Sequence, residues 1–217
     1  MGVAAFFDLD KTLITENGAR LWMQRERKLG RLGLGRIVQG TFYLALYHFG
    51  ILDIDAAMRK AIATIKGLTT EEVRNETRAW YQEYMAPNAA PGGFRAVEWH
   101  KKQGHKTVLL TSSSPYASEC AVEQFGLDGA LSSHYDLDGD RLTGDFRSPL
   151  CYGAGKIEYA QEYAKGNGID LDESYFYTDS ISDLPMLKVV GHPRVVQPDP
   201  RLRREAVKRG WDIVDWK

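Results

Sequence analysis

The sequence predicts an α/β fold, and three observations support this prediction. Over residues 91–217, short apolar segments alternate with amphipathic helical segments, as in the repeated βαβ units that build a parallel sheet. Residues 3–7 add one more apolar segment of strand length near the N-terminus. Between these two regions, residues 16–90 carry helical patterns throughout. The expected architecture is therefore a Rossmann-like parallel sheet flanked by helices, with a helical cap inserted after the first strand.

The domain boundaries follow from the position of the helical insertion. Residues 1–15 and 91–217 are expected to form a core domain, and residues 16–90 a helical cap domain. Because the insertion directly follows the first strand, the cap is expected to lie over the end of that strand. The cap sequence contains 11 basic and 8 acidic side chains. This slight positive excess suits an anionic substrate and suits a solvated helix face about equally well.

Helical spacing and capping patterns predict the elements of the cap. Ile54, Met58, Ile62 and Ile65 recur at helical spacing, and Gly67 follows as a terminator. Residues 69–72 match a capping box, which predicts the start of another helix. Residues 37–52 are apolar and predict a packed cap helix, with a membrane-surface helix as the alternative because a basic segment precedes them. The basic residues of that segment are Arg20, Arg25, Arg27, Lys28, Arg31 and Arg36.

The second half of the chain is predicted to alternate between helix and strand. Helical structure is expected to be interrupted before this alternation begins, at Pro87 and at the run Pro91-Gly92-Gly93. Helical segments are predicted over residues 94–103, 116–125, 156–165, 184–189 and 202–209, and strands over residues 107–111, 174–178, 194–196 and 213–214. Residues 133–146 predict a β-hairpin, because an Asp-Gly-Asp turn lies at their centre.

Composition narrows the class of protein. The chain has 217 residues, of which 43% are hydrophobic and 26% charged, as in ordinary soluble globular proteins. Its net charge of −1 provides no basic field, so no nucleic-acid partner is expected. Cys120 and Cys151 form no C-x-x-C pair, which favours two reduced thiols in a cytoplasmic protein over a disulfide. The apolar segments fall short of the roughly 20 residues of a membrane span, and the N-terminus does not resemble a signal peptide, so membrane contact is not expected.

The first candidate site residues follow the first strand. Residues 6–13 read Phe-Phe-Asp-Leu-Asp-Lys-Thr-Leu, which places Asp8 and Asp10 at the carboxyl end of that strand, where open α/β sheets bind ligands. Two carboxylates concentrate negative charge there, and a bound cation is the usual compensation. Asp8 could act as a nucleophile toward phosphorus, and Asp10 as a proton donor and acceptor. The alternative is a capped strand end with acidic turn residues.

Hydroxyl groups and a lysine form the second set of candidates. Thr111 ends the second predicted strand and Ser112 follows it, at a turn where a hydroxyl and successive backbone N–H groups can bind phosphate. Either of the two hydroxyls could make that contact, and a helix-capping role for Ser113 or Ser114 is the alternative. Lys156 opens a helix after a glycine-rich turn, although the helix macrodipole disfavours a cation there. It could neutralise phosphoryl oxygens, or it could be an ordinary exposed lysine.

A third set of candidates is acidic. Asp179 directly follows the predicted strand 174–178, and Asp183 comes four residues later at the start of a helix. Together with Asp8, Asp179 could hold a hard cation through oxygen ligands. Asp183 could instead serve only as an N-cap before Pro185. The histidines form no pair at metal-ligand spacing and are assigned no role.

Taken in this order, the four segments resemble those of the haloacid dehalogenase superfamily of phosphohydrolases, over nearly the whole chain. The helical insertion resembles the cap of the phosphoserine-phosphatase-like branch (subfamily IB). The resemblance implies a Mg²⁺-dependent phosphatase that hydrolyses a small phosphorylated metabolite, a phosphomonoester, through an aspartyl-phosphate intermediate. It further implies that Asp8 is the nucleophile and Asp10 the general acid/base. Mg²⁺ would be held by Asp8, Asp179 and the backbone carbonyl of Asp10.

The resemblance also implies roles for the remaining candidates, with one departure. Thr111 or Ser112, together with Lys156, would bind the phosphoryl group, and Asp183 would orient metal-bound water or Lys156. Phosphoserine phosphatases place a substrate-recognising glutamate shortly after the first motif, where this chain has Asn17 beside Glu16. Since an amide cannot pair with the substrate ammonium group, another small phosphomonoester is favoured over phosphoserine.

Three other functions compete with this interpretation. A phosphotransferase or mutase would pass the phosphoryl group to a second organic substrate instead of water. A phosphatase with the same site could act on a lipid phosphate at the membrane surface. A receiver-like signalling domain also combines acidic residues, a hydroxyl and a lysine around Mg²⁺. That last function is disfavoured by the length of the chain and by Asp10, which supplies an acid/base that a persistent phospho-switch does not need.

Overall fold

The structure is a computed structural model that describes residues 1–31 and 54–216. The predicted apolar helix at residues 37–52 lies outside the described residues. The strands are β1 (Ala4–Phe7), β2 (Lys106–Leu110), β3 (Gly129–Leu131), β4 (Tyr135–Asp138), β5 (Arg141–Phe146), β6 (Tyr175–Thr178), β7 (His192–Val196) and β8 (Asp212–Val214). The α-helices are α1 (Gly18–Lys28), α2 (Ile54–Ala63), α3 (Thr70–Trp80), α4 (Pro91–Lys102), α5 (Pro115–Phe125), α6 (Gly155–Asn167), α7 (Leu184–Leu187) and α8 (Pro200–Arg209). A π-helical turn (Tyr81–Met85) and two 3₁₀ turns (Ala86–Asn88 and Ile181–Asp183) complete the described elements.

Six parallel strands form the central sheet in the order β3-β2-β1-β6-β7-β8. Strand β1 lies in the middle and pairs with β2 on one side and β6 on the other. From β1 the chain first builds the half that contains β2 and β3, and then crosses to build the half that begins with β6. In open α/β sheets, ligands bind at such a switch point, outside the carboxyl ends of the strands. The predicted parallel sheet is confirmed, and its switch point lies between β1 and β6.

Helices cover both faces of the sheet because successive strand residues point to opposite sides. Ala5 and Phe7 of β1 belong to one buried cluster, in which the sheet packs on α4 and α5. Ala4 and Phe6 belong to the other, in which the sheet packs on α6, α7 and α8. Strand β1 is fully buried on both faces. This burial explains why the strand has a continuous apolar sequence and no polar alternation.

The cap helices contact the β4–β5 hairpin. Thr69 and Glu72 form the predicted capping box at the start of α3. The backbone N–H of Leu142 in β5 donates to the carbonyl of Leu68 (2.9 Å), and the guanidinium of Arg141 donates to the carbonyl of Gly67 (2.7 Å). The hairpin, predicted from its Asp-Gly-Asp turn, therefore lies against residues 54–70.

Helix α4 begins three residues earlier than the sequence predicted. The run Pro91-Gly92-Gly93 forms the start of this helix and does not interrupt helical structure. Pro91 occupies the first helical position, where its missing N–H costs nothing. The glycine at position 92 allows the close approach of Trp216: a Cβ built on it would lie 2.3 Å from the indole Cγ. That indole packs against Phe7 and Tyr177 in the core.

Two further features bear on the sequence-based expectations. Strand β3 was not expected, since its three residues, Gly-Ala-Leu, lack the β-branched and aromatic residues typical of strands. Cys120 and Cys151 are both buried and free, as predicted. Within the described ranges, no helix combines the length and apolarity that a membrane crossing would require.

We predict that Gly92→Ala destabilises the protein by about 1–3 kcal/mol, because the added methyl group must displace the buried Trp216 indole. The same substitution at Gly166, in the last turn of α6, meets no atom within 4 Å. We expect Gly166→Ala to stabilise the protein by about 0.5–1 kcal/mol, because alanine favours helix. Urea denaturation of both variants measures the two effects, and equal effects at both positions would contradict the packing argument.

Candidate active site

A cavity of about 100 Å³ lies at the switch point, outside the carboxyl ends of β1 and β6. We call it the acidic pocket, because five carboxylates and three cationic side chains line it. Six of its lining residues were predicted as site residues: Asp8, Asp10, Ser112, Lys156, Asp179 and Asp183. The other lining residues are Lys11, Asn17, Tyr152, Ser180, Ile181, Ser182, Asp199 and Arg201.

Lys156 is the central cation of the acidic pocket. Its side chain extends from the first turn of α6 and is only 2% exposed. Its ammonium group donates to Asp8 Oδ1 and to Asp183 Oδ2, both at 2.7 Å. Burial opposes the charged form, but Asp183 and Asp8 together raise the pKa of Lys156 above its usual range. The alternative of an ordinary exposed lysine is therefore wrong.

Asp183 is held by a second buried contact. Thr178, the last residue of β6, donates its hydroxyl to Asp183 Oδ2 at 2.8 Å. Asp183 is 2% exposed, and it makes no side-chain capping bond to the helix that follows. Its carboxylate therefore pairs with Lys156 and does not act as the N-cap that the sequence left open.

Asp10 lies where the first cap helix meets the core. The backbone N–H of Gly18, at the start of α1, donates to Asp10 Oδ1 at 2.5 Å, and the Ser113 hydroxyl donates to Oδ2 at 3.3 Å. Burial raises the pKa of the Asp10 carboxyl, and the Gly18 hydrogen bond opposes this rise. The carboxylate is therefore fixed in orientation, and its environment favours the protonated form more than water does.

The turn after β2 distinguishes the two hydroxyl candidates. Thr111 is 1% exposed, and its Oγ1 accepts a hydrogen bond from the backbone N–H of Ser113 at 3.1 Å. Ser112 lines the acidic pocket. The capping alternative also holds, but for Ser114, whose hydroxyl accepts from the N–H of Ala117 at the start of α5.

At Asp8 and Asp179, burial opposes the charged form of the carboxyl group. Each is 8% exposed. Burial raises the pKa of the Asp8 carboxyl to about 7, although Lys156 lowers it. Burial also raises the pKa of the Asp179 carboxyl to about 8, and the negative charge of Asp8 adds to that rise. The pocket therefore favours the protonated form of both carboxyl groups more than water does.

Several lining residues were not identified from the sequence as site residues. Lys11 adopts a positive φ of 55°, a conformation that is uncommon for a residue with a side chain. Tyr152 comes from the glycine-rich turn before α6, and Arg201 from the first turn of α8. For two of them, the sequence offered one indication, which is that they lie close in sequence to predicted site residues. Lys11 is adjacent to Asp10, and Tyr152 lies four residues before Lys156. No local pattern marks Arg201, which only the fold brings to the pocket.

A second, larger cavity of about 600 Å³ opens beside the acidic pocket. We call it the apolar cavity, because its walls expose mostly carbon atoms. Cap residues form one side, from α1, α2 and α3, and core residues after β2 form the other. Asp10, Asn17, Ser112 and Tyr152 line both cavities. Glu16 lines neither cavity; it forms an ion pair with Arg20 at 3.2 Å on the surface.

Sequence comparison finds proteins named as phosphatases among the relatives of this chain. A histidinol-phosphatase of Neisseria meningitidis is 29% identical over 218 residues, covering 98% of each chain. A phosphoserine phosphatase of Mycobacterium tuberculosis is 30% identical over 218 residues, covering 99% of this chain and 71% of its own.

Comparison with solved structures agrees with the sequence relationships. A protein of unknown function from Bordetella pertussis superimposes over the full length of both chains with a TM-score of 0.89 at 24% identity. A phosphoserine phosphatase solved as a phospho-aspartyl intermediate analogue superimposes with a TM-score of 0.71 at 22% identity, over 100% of this chain and 94% of its own. The family model of haloacid dehalogenase-like hydrolases matches residues 5–188. The chain therefore belongs to the haloacid dehalogenase-like hydrolases.

Proposed function

We propose that this protein is a Mg²⁺-dependent phosphatase that hydrolyses a small phosphomonoester through an aspartyl-phosphate on Asp8. The observation that carries the proposal is the shared contact of Asp8 and Asp183 with the buried Lys156, in a pocket that also holds Asp10 and Asp179. Phosphoryl transfer needs an aligned nucleophile and leaving group, and it needs compensation for the charge on the phosphoryl oxygens. The acidic pocket provides groups for both requirements.

The residues of the acidic pocket fit a hard divalent cation. Asp8 and Asp179 offer carboxylate oxygens, which Mg²⁺ prefers as ligands. Among the described residues, no three His, Cys, Asp or Glu side chains converge as a metal-binding group. The proposed site uses the carboxylates of Asp8 and Asp179 and the backbone carbonyl of Asp10, as the family resemblance implies. When bound, Mg²⁺ would neutralise charge on the phosphoryl oxygens and on the nucleophile.

In the first step, a carboxylate oxygen of Asp8 attacks phosphorus, and the bond between phosphorus and the ester oxygen breaks. Asp10 gives its proton to the departing ester oxygen, which leaves as an alcohol. The hydrogen bonds from Gly18 and Ser113 hold the Asp10 carboxyl in place for this transfer. In the second step, Asp10 takes a proton from water, and the oxygen of that water attacks phosphorus. Inorganic phosphate leaves, and Asp8 regains its free carboxylate.

The remaining residues of the pocket hold the phosphoryl group. Lys156 lies 2.7 Å from Asp8 and is therefore close enough to contact an oxygen of a phosphoryl group bound there. The turn at Thr111 and Ser112 precedes α5, and it offers the Ser112 side chain to the pocket. Asp183 keeps Lys156 extended toward Asp8. This arrangement supports the roles that the resemblance implied for Lys156 and Asp183.

The two named relatives favour a small phosphorylated metabolite as the substrate. Their names specify histidinol phosphate in one case and phosphoserine in the other. Asn17 lines both cavities here, whereas the carboxylate of Glu16 faces Arg20. The glutamate expected of a phosphoserine enzyme is therefore not supplied by Glu16. We accordingly favour a phosphomonoester other than phosphoserine.

We predict that Asp8→Asn lowers Mg²⁺-dependent phosphatase activity by several powers of ten, because an amide cannot act as the nucleophile. The release of phosphate from a generic aryl phosphate measures this. The exposed hairpin residue Asp136 provides the control, as Asp136→Asn should retain wild-type activity. An Asp8→Asn variant that keeps more than about a tenth of the wild-type rate would refute the nucleophile assignment.

We predict that chelation of divalent cations abolishes activity and that added Mg²⁺ restores it. Since Mg²⁺ binds the folded state, a concentration of 100 times its dissociation constant should add about 2.7 kcal/mol to the free energy of unfolding. Thermal unfolding with and without Mg²⁺ measures this in wild type and in Asp179→Asn. An equal Mg²⁺ response in the two proteins would remove Asp179 from the ligand set.

We predict that, in a chelating buffer, Asp179→Asn is more stable than wild type at pH 8. The folded-state pKa of Asp179 is about 8, against 3.8 in the unfolded chain, so the folded protein binds the proton more tightly. This contribution to stability is full below about pH 4 and is lost as the pH rises through 8. Wild type should lose about 1 kcal/mol or more between pH 5 and 8 in urea denaturation. The asparagine variant should lose less, and a parallel loss in both would contradict the assignment.

A further inference from the structure

The apolar cavity adjoins the acidic pocket. Asp10, the proposed proton donor to the ester oxygen, lines both cavities, as do Asn17, Ser112 and Tyr152. If Asp10 protonates the ester oxygen, as proposed, the remainder of the substrate lies beside Asp10, where the apolar cavity begins. The volume of about 600 Å³ lies within the range of pockets that bind whole small molecules.

Aromatic and thioether side chains form the walls of this cavity. Trp22 of α1 and Trp80 of α3 pack edge to face, with ring centroids 5.4 Å apart. Met23 and Met58 line the cavity from α1 and α2. Indole faces favour contact with other ring systems, and methionine sulfur makes favourable contacts with ring edges. The walls therefore suit a flat apolar group better than a polyhydroxylated one.

The lining of the apolar cavity contains few charged side chains among the described residues. Among the described lining residues, Asp10 is the one charged side chain, and no lysine, arginine or histidine lines the cavity. A carboxylate in the leaving group would therefore meet no cationic side chain among the described residues that line this largely apolar cavity. Burying a charge without a partner is strongly unfavourable.

We infer that the substrate carries an aromatic or heteroaromatic ring without a carboxylate in its leaving group, and that this ring binds in the apolar cavity against Trp22 and Trp80. The inference rests on the proposed phosphatase function and specifies the class of its substrate. It separates this chain from an enzyme for amino-acid phosphates, whose leaving groups carry a carboxylate, and from one for sugar phosphates, whose hydroxyls need many polar partners.

Three probe esters test the inference: phenethyl phosphate, ethyl phosphate and O-phosphoserine. All three have a primary-alcohol leaving group, so differences in kcat/KM report the fit of the leaving group more than intrinsic reactivity. Burial of the phenyl ring should raise kcat/KM for phenethyl phosphate roughly 30- to 100-fold above that for ethyl phosphate. O-phosphoserine should not exceed ethyl phosphate. A preference for O-phosphoserine, or equal values for all three esters, would overturn the inference.

Variants locate the binding site of the ring. Met58→Lys places a cation in the half-buried wall contributed by α2, and Met23→Lys does the same from α1. Each should lower the ratio of kcat/KM for phenethyl phosphate to that for ethyl phosphate by about tenfold. Lys60→Met is the matched control, because Lys60 is an exposed residue of α2 outside the cavity lining. This ratio should stay at its wild-type value in Lys60→Met, and an unchanged ratio in both cavity variants would overturn the inference.

Failure of this inference and failure of the phosphatase proposal give different results. If wild type hydrolyses ethyl phosphate with Mg²⁺ but has no higher kcat/KM for phenethyl phosphate, only the inference about the ring fails. If none of the esters is hydrolysed, the proposed function fails. The affinity of Asp8→Asn for the unreactive phenethyl phosphonate, measured by tryptophan fluorescence, tests ring binding in the apolar cavity without turnover. Binding that Met58→Lys weakens by about tenfold would support the inference, and unchanged binding would overturn it.

Discussion

The contact of Lys156 with Asp8 and Asp183 is the interaction on which the rest of the site depends. The three side chains come from the first turn of α6, the end of β1 and the turn after β6, and they meet in a region from which water is nearly excluded. An isolated charge would be strongly unfavourable there, so each of the three groups requires the others. The same contact aligns the proposed nucleophile with the cation that would hold a phosphoryl oxygen. Structural stability and catalytic geometry therefore depend on one set of hydrogen bonds.

The sheet topology explains why these groups can meet. Because β1 lies between β2 and β6, the turns after all three strands open at the same edge. The cap then closes over that edge, and Gly18 at the start of α1 donates directly to Asp10. Two cavities of opposite character result: an acidic pocket and an apolar cavity between cap and core. Asp10 lines both, which is compatible with its proposed role as proton donor to the leaving oxygen.

Much of this arrangement was predictable, for identifiable physical reasons. Asp8, Asp10 and Asp179 follow apolar strands, and parallel strands bring their carboxyl ends to one edge, so these acidic residues were expected to converge. Helix α4 was mispredicted at its start because Pro91 is compatible both with a break and with a first helical position. Strand β3 is an edge strand of three residues whose conformation depends on pairing with β2, so no local pattern revealed it.

By itself, the sequence determined the order of the elements, the parallel sheet and the acidic residues at its edge, because apolar periodicity and the chemistry of single side chains are local properties. Only the tertiary structure decided that Ser112 lines the acidic pocket while Thr111 is buried, and that Glu16 faces Arg20 while Asn17 lines both cavities. Tertiary packing also brought α1, α2 and α3 together with the turns of the core to form the apolar cavity. The direction of a side chain and the shape of a cavity depend on contacts between residues far apart in sequence, and no local pattern encodes them.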